Sequence, residues 1–382
     1  MPSMVGDKAG DSRANIRPGT EVSKQPSWSR DTHAIAQQRL RNQHITQPSR
    51  LAPARMVAWF GAVQAQEYGP AKWGLALRSA TGVTDAAVER AINRGQILRT
   101  HILRPTWHFV ARDDIRWILE LTAPHVHRRM ATYDRQLGLD ARIMTRAIGV
   151  IERALGDRGP LTRRELGAEL VRAGLPAGTR ELAHVAMHAE LEGVICSGPR
   201  RGKQFTYALL AERATSAPQL EREEALSELT RRYLRSHGPA TLRDFVWWSG
   251  LKTSDAHCGL EISRAQRREV DGLTYWSLAR APARVPRSRT AVHLLPIYDE
   301  LLVAYRDHRV VPRPAYVLGS FQHALLIGGQ VAGTWRTIQS RRGLVVDVRP
   351  LRRLTLAERR GLSQAVTRYR RFLGVPLTFS VA

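Results

Sequence analysis

Apolar residues between positions 56 and 63 repeat at helical spacing, and the repeat stops at a pair of glutamines, Gln64 and Gln66. The dipeptide Gly69-Pro70 behind the pair cannot continue a helix, so the pattern places the glutamines at a helix end. Residues i and i+2 of a regular helix point away from each other, which would separate the two amides. We therefore expect the backbone to leave the helix near Gln66 if both glutamines serve one site.

The stretch behind the pair predicts a helix and then extended structure. Thr84 is placed to cap a helix that stops at Gly95, because its hydroxyl can accept a hydrogen bond from the first turn. Residues 97–110 then alternate between two faces, as the strands of a hairpin do. Helices followed by a hairpin are the outline of a winged helix.

The same outline is predicted twice more along the chain. Residues 159–166 and 238–245 both read Gly-Pro, then a Thr, then an acid three residues after the Thr, which is a capping box at a helix start. The first copy leads to a basic hairpin tip at residues 198–203, which is typical of a wing. The second leads to a strand pair with Asp271-Gly272 as its turn. These two copies and the looser first unit predict a tandem array.

The C-terminal part changes in character from about Ala283. Residues 292–303, 324–334 and 344–348 are dense in aliphatic and β-branched side chains, Gly328-Gly329 supplies a turn, and residues 354–373 predict a basic helix. The predicted fold class is α+β, with three tandem winged-helix units and a β-rich C-terminal domain. The expected domains are a disordered N-terminal tail (1–31), winged-helix unit 1 (32–138), unit 2 (139–218), unit 3 (219–283) and the C-terminal domain with its terminal helix (284–382).

The composition of the 382 residues, with 43% hydrophobic residues, suits a globular protein with several cores. No apolar run reaches the roughly 20 residues that span a bilayer, and the N-terminus lacks the apolar segment of a signal peptide. We therefore expect a cytoplasmic protein without a membrane partner. Cys196 and Cys258 form no Cys-x-x-Cys motif, so we expect small buried apolar residues rather than a disulfide or a zinc module.

The charge points to a polyanionic partner. The chain has 59 Lys and Arg against 34 Asp and Glu, a formal net charge of +25. Most of these basic residues are arginine, which compositional drift in a GC-rich genome would also produce. Drift explains arginine in place of lysine better than it explains an uncompensated positive charge. The balance therefore favours nucleic acid as the partner.

Several motifs together resemble one known family. Gln64-Ala65-Gln66, residues 98–108 (Leu-Arg-Thr-His-Ile-Leu-Arg-Pro-Thr-Trp-His), residues 294–299 (Leu-Leu-Pro-Ile-Tyr-Asp) and residues 331–336 (Val-Ala-Gly-Thr-Trp-Arg) resemble the AlkZ-like, YcaQ-related winged-helix DNA glycosylase family. The resemblance extends over residues 33–380. It implies three winged helices and a β-rich domain around a DNA channel, excision of alkylated bases and, in some members, unhooking of interstrand crosslinks. It also implies that Gln64 and Gln66 are the catalytic pair, since one branch of the family carries Gln-apolar-Gln.

The chemistry of glutamine narrows the substrate. Most enzymes that cleave glycosidic bonds use one carboxylate to stabilise charge and another to protonate the leaving group. A glutamine carbonyl can position water and turn a dipole toward a sugar cation, but it has no useful basicity. The pair therefore suits N7- or N3-alkylpurines, which already carry positive charge and leave without protonation. Neither metal nor organic cofactor is expected, and Lys72 is the only lysine near enough to be considered as a nucleophile, so we predict a monofunctional glycosylase.

Double-stranded DNA with alkylated bases is the expected partner of a monomer associated with the nucleoid. The candidate DNA-binding residues lie on the predicted hairpin and on the wing tip. For Trp107, burial in the core is the alternative to stacking on a base. A non-catalytic winged-helix DNA-binding protein or transcriptional regulator is the competing function. The candidates are Arg104, Trp107, His108, Arg200, Arg201 and Lys203.

Other polar residues favour structural roles. Glu67 could supply a carboxylate beside the glutamines, but an acid at a helix end usually lies on the surface. His184 and His188 have metal-ligand spacing on a helix without an evident third ligand, so a structural role is expected. His125-Val126-His127 has no acid nearby in sequence and is expected at the surface. Asp299, between aliphatic runs, is expected to be buried with a hydrogen-bonded partner rather than catalytic.

Overall fold

The computed structural model describes residues 30–278, 290–311, 322–341 and 343–382. The predicted disordered tail therefore lies outside the described residues, except for Arg30 and Asp31, which begin the first helix. In the described part, no helix is long and apolar enough to cross a membrane. The fold is of the predicted α+β class, while the domain boundaries stay a prediction.

The first unit contains the glutamine pair. Its first strand pairs with the third, so that the sheet order is β1-β3-β2. A short 3₁₀ helix, Arg112–Asp114, links the sheet to the long helix α5. The elements are α1 (Arg30–Asn42), α2 (Pro53–Phe60), β1 (Ala62–Gln64), α3 (Tyr68–Leu77), α4 (Asp85–Asn93), β2 (Ile97–Ile102), β3 (Arg104–Ala111) and α5 (Ile115–Gln136).

Two details of the predicted helix end were wrong. Helix α2 stops at Phe60, because Gly61 takes a positive φ of 84° that favours glycine, so the chain leaves the helix before the glutamines. The dipeptide Gly69-Pro70 does not end a helix but lies in the first turn of α3, where proline is tolerated because its missing N–H has no helical partner. The predicted cap is confirmed, since Thr84 accepts a hydrogen bond from Ala87 N at 3.2 Å.

The second unit repeats the order of the first: a helix, a short strand, two helices and a hairpin. Its sheet order, β4-β6-β5, is equivalent. The predicted capping box is present, because Thr162 and Glu165 each bond the other's backbone amide. The elements are α6 (Ala141–Arg158), β4 (Leu161–Thr162), α7 (Arg163–Arg172), α8 (Thr179–Leu191), β5 (Ile195–Ser197), β6 (Thr206–Leu209) and α9 (Leu210–Arg213).

The third unit has the same order with a reduced first strand, a single bridge between Ala240 and Trp276. Thr241 and Asp244 form the second capping box, and Asp271-Gly272 turns the hairpin with φ of 48° and 72°, as predicted. Gly250 ends a helix against the first unit; a Cβ there would meet Leu103 O at 2.1 Å, so only glycine fits. The elements are α10 (Arg222–His237), α11 (Leu242–Ser249), α12 (Thr253–Ile262), β7 (Gln266–Val270) and β8 (Leu273–Ser277).

The C-terminal domain is a five-stranded sheet in the order β13-β12-β11-β10-β9. Gly328-Gly329 turns β10 into β11, as predicted. Residues 292–303 are not one strand: they form a strand and, after a turn, a one-turn helix. The elements are β9 (Val292–Leu295), α13 (Glu300–Val303), β10 (His323–Ile327), β11 (Gln330–Ser340), β12 (Gly343–Pro350), α14 (Leu356–Leu373) and β13 (Leu377–Val381).

The units share hydrophobic cores instead of standing apart. One core combines Leu98 of the first unit, Met187 of the second, Trp248 of the third and Tyr305 of the C-terminal part. This sharing holds the glutamine strand rigidly between segments that are distant in sequence.

Candidate active site

Strand β1 places Gln64 in extended backbone, and Gln66 follows two residues later at a bend before α3. Gln64 pairs with His108 on β3, and the ladder continues one step as Ala65 N donates to Trp107 O at 2.7 Å. Gln64 is 8% exposed and Gln66 is half-buried. The requirement that the backbone leaves the helix is thus met by a strand at Gln64 and a bend at Gln66.

Strand β3 holds the oxygen of each side-chain amide. Arg104 Nη2 donates to Gln64 Oε1 at 3.1 Å, and the backbone N–H of Trp107 donates to Gln66 Oε1 at 3.3 Å. A carbonyl oxygen has two lone pairs, so each amide oxygen keeps one for water or for a developing positive charge. Arg104, expected to contact phosphate, thus donates a hydrogen bond to the first glutamine.

The backbone around the pair is tied down by Arg99. Its guanidinium donates to Ala65 O at 3.0 Å and to Gln66 O at 3.3 Å. The same guanidinium lies 4.1 Å from the centre of the Trp107 ring, a distance typical of a cation–π contact. Trp107 is half-buried with Arg99 against its ring, and part of its side chain stays exposed.

Glu300, which the sequence analysis missed, lies behind the first glutamine. Its Oε1 accepts Gln64 N at 2.6 Å, and its Oε2 accepts His237 Nε2 at 3.1 Å and Trp248 Nε1 at 3.2 Å. Burial by itself would raise the pKa of Glu300, but the hydrogen bonds from His237 and Gln64 outweigh it and hold that pKa below its usual value. The only available signal was an acid directly after Asp299, between aliphatic runs.

Asp299 and Glu67 lie where the sequence predicted, the first buried and the second at the surface. Asp299 is buried and accepts both Arg78 Nη1 and Arg78 Nη2 at 2.8 Å, so its predicted burial with a hydrogen-bonded partner is confirmed. Glu67 lies exposed at the start of α3. Neither acid is bonded to the amides of the glutamine pair in the described part of the chain.

Lys72 is buried and paired with two acids. Its Nζ lies 2.9 Å from Asp85 and 2.7 Å from Glu89, and its side chain is 5% exposed. The Lys72 ammonium thus lies against two carboxylates in the structure.

His108 is completely buried, with 0% exposure. Burial is the largest of the effects that lower its pKa to about 3, so the imidazole is neutral at pH 7. Its Nδ1 lies 2.8 Å from Thr106 O, within hydrogen-bonding distance. In this conformation His108 supports β3 from within and has no surface to offer to DNA.

The wing residues differ in their contacts. Arg200 lies over the rings of Tyr68 and Phe205, at 5.4 and 4.8 Å, and thereby joins the wing to the glutamine unit. Arg201 pairs with Glu165 at 2.8 Å and is 54% exposed. Lys203 lies exposed at the tip. The exposed wing cations can still reach a phosphate, whereas Arg200 is partly committed to the protein.

Some predictions for the cysteines and histidines are confirmed, and the one for His125 is wrong. Cys196 is buried as predicted, and Cys258 is half-buried. His184 is structural, with Nδ1 2.6 Å from Asp134. The surface expectation was wrong for His125, which is 9% exposed and faces Asp255. Folding also brings an acid to His127, which lies 2.9 Å from Glu192.

Comparisons with known proteins agree with this geometry. A family model described as DNA glycosylase AlkZ-like matches residues 57–372. The interstrand DNA cross-link repair glycosylase of Streptomyces sahachiroi is 26% identical over 339 residues, which cover 82% of this chain and 88% of that protein. The solved structure of the Streptomyces sahachiroi DNA glycosylase AlkZ superposes with a TM-score of 0.75 at 22% identity, over 92% of this chain and 99% of that one. This likeness shows a shared fold.

Proposed function

The chain belongs to the AlkZ-like DNA glycosylase family, as its motifs indicated, and is thus a hydrolase of N-glycosyl bonds in DNA; on this premise we propose that it excises cationic alkylated purines. The observation that carries the proposal is the pair of amides, Gln64 and Gln66, held by their oxygens on β3. The buried Glu300 offers no acid to a leaving group, because hydrogen bonds occupy both of its oxygens.

The mechanism follows from what these groups can do. The remaining lone pair of each amide oxygen can orient a water molecule and place a partial negative charge near the oxocarbenium-like sugar. An N7- or N3-alkylpurine leaves as a neutral base, so no proton has to be supplied. Uracil and hypoxanthine require such a proton, and the pair cannot provide it. We assign catalysis to Gln64 and Gln66 on this basis.

The proposal also covers crosslinked DNA as a substrate and the monomeric state of the protein on duplex DNA. One relative is named for the repair of interstrand crosslinks, and we propose that this chain also unhooks them when the crosslinked base is a cationic purine. The net charge of +25 supports a monomer bound along duplex DNA of the nucleoid, with the three units and the C-terminal domain lining a channel. Trp107, Arg201 and Lys203 are the proposed DNA contacts.

Excision of 7-methylguanine tests the proposal. Duplex DNA carrying this base should release it and acquire alkali-labile sites, and matched duplexes with uracil or hypoxanthine should not. Gln64→Ala and Gln66→Ala should each slow single-turnover excision by about 100- to 1,000-fold, as the loss of one positioned dipole does elsewhere. Comparable excision of uracil would overturn the assignment of the substrate.

Two controls separate the competing mechanisms. DNA binding by both glutamine variants should stay near that of the parent, because the amides act on the bond and not on the phosphates. Binding without base release, unchanged by either substitution, would support a regulator. Borohydride should trap no covalent adduct, and an adduct lost in Lys72→Ala would replace the water mechanism with a lysine mechanism.

A further inference from the structure

Three metal-binding side chains converge between the first and second units. His127 lies on α5, His188 on α8, and Glu192 directly after α8. His127 Nε2 is 2.9 Å and His188 Nε2 is 3.8 Å from Glu192 Oε1. One ligand atom from each residue lies within 4.8 Å of the others, and this is the one such group of three in the described residues.

These distances suit a small divalent ion. Zinc binds imidazole nitrogen and carboxylate oxygen at about 2.0–2.2 Å, so the ligand atoms of a tetrahedral site lie roughly 3.3 Å apart. The two separations from Glu192 Oε1, 2.9 and 3.8 Å, bracket that value. The side chains are 24%, 26% and 49% exposed, so a rotation of each can close the site while one coordination position stays open to water. His184 is not a fourth ligand here, because its ring is bonded to Asp134.

We propose that His127, His188 and Glu192 form a binding site for a divalent transition-metal ion of the zinc type. The ion fastens α5, the long helix of the glutamine unit, to α8, the helix in front of the basic wing. It thereby fixes the wing relative to Gln64 and Gln66, alongside the hydrogen bond from Arg99 N to Ser197 Oγ at 2.8 Å. The alternative is a cluster of ordinary histidine–carboxylate contacts without an ion.

Zinc titration of the untagged, chelator-treated full chain tests the site. Calorimetry should show one ion per chain with a dissociation constant on the order of 1 µM or tighter. His127→Ala and His188→Ala should each weaken binding at least about tenfold. Zinc should also raise the thermal unfolding midpoint of the parent protein and leave that of both variants nearly unchanged, because binding to the native state alone stabilises it.

His257→Ala is the matched control. His257 and Glu261 have the same i,i+4 spacing on α12 as His188 and Glu192, at 3.4 Å, but belong to no group of three among the described residues. The zinc affinity of the His257→Ala variant should equal that of the parent protein. Cobalt added to the parent should give the visible absorption of a four- or five-coordinate ion.

Three outcomes would overturn the proposal: no saturable zinc binding by the parent, unchanged binding in both ligand variants, or an equal loss in His257→Ala. Far-UV circular dichroism shows whether a variant has folded. If one has not, the stoichiometry and the cobalt spectrum of the parent decide, and an octahedral, weakly absorbing cobalt complex counts against the site.

Discussion

Replacing Glu300 with glutamine changes the hydrogen bond to the Gln64 backbone and leaves the side-chain amides of Gln64 and Gln66 unaltered. The carboxylate accepts one hydrogen bond at Oε1, from Gln64 N, and two at Oε2, from His237 and Trp248. The glutamine amide has one oxygen and one NH₂ group. The orientation that loses fewest bonds keeps the oxygen on His237 and Trp248, so that the NH₂ group faces the N–H of Gln64.

The size of the effect follows from that count. A buried donor without an acceptor costs about 1–3 kcal/mol, against a total unfolding free energy of roughly 5–15 kcal/mol, so Glu300→Gln should fold. Two donors facing each other push the backbone of Gln64 away from the carboxylate. A displacement of about 1 Å can slow a reaction about 100-fold, and we expect a loss of that order.

Urea unfolding and single-turnover release of 7-methylguanine measure the two effects separately, with duplex binding as a third reading. Asp114→Asn is the control, because Asp114 is also a buried carboxylate that accepts an indole N–H, at 3.3 Å from Trp117, and pairs with Arg232. It should lose stability and keep its rate. If Glu300→Gln loses stability but excises at the parent rate, or if the control slows equally, Glu300 does not position the glutamine.

Three further predictions concern single residues. Arg104→Met should remove a charged hydrogen bond worth about 1.5–3 kcal/mol and slow excision at least about tenfold at unchanged salt dependence of binding. A salt slope reduced by about one would restore the role of Arg104 as a phosphate contact. Lys203→Ala should lower the slope of log affinity against log salt by about 0.9 and leave the rate on bound DNA unchanged; an unaltered slope would remove Lys203 from the interface. The pKa of His108 is about 3 in the folded protein, below the ordinary 6.5, so near pH 5 only the unfolded chain takes up the proton. The contribution of His108 to stability is therefore fully present above pH 6.5 and falls as the pH drops. Urea unfolding should show a loss of about 2 kcal/mol at pH 5 that His108→Gln reduces, and an equal loss in that variant would refute the assignment.

The repeated units could be predicted because their signals are local. The capping boxes at Thr162 and Thr241 and the Asp271-Gly272 turn each depend on a few adjacent residues whose hydrogen bonds form within one turn. The motifs that the chain shares with its family were equally visible. Both kinds of signal can be recognised in the sequence without knowledge of the tertiary contacts.

The active site could be predicted only in part, because distant segments complete it. The three-residue strand β1 owes its extended form to pairing with β3, which apolar spacing before Gln64 does not reveal. Arg104 could be recognised as a cation near the pair, but not as the donor to an amide. The role of Glu300 required knowing that residues 236 positions apart meet.

The hydrogen bond between Glu300 and the Gln64 amide also bears on when the enzyme becomes active during its synthesis. Both glutamines leave the ribosome early, but their carboxylate and the indole and imidazole around it, from Trp248 and His237, follow much later. A nascent chain that already carries the basic units and the pairing of β1 with β3 therefore still lacks the buried acceptor of the Gln64 backbone amide. If that acceptor is needed for catalysis, released fragments that end before α13 should bind DNA without cutting glycosidic bonds.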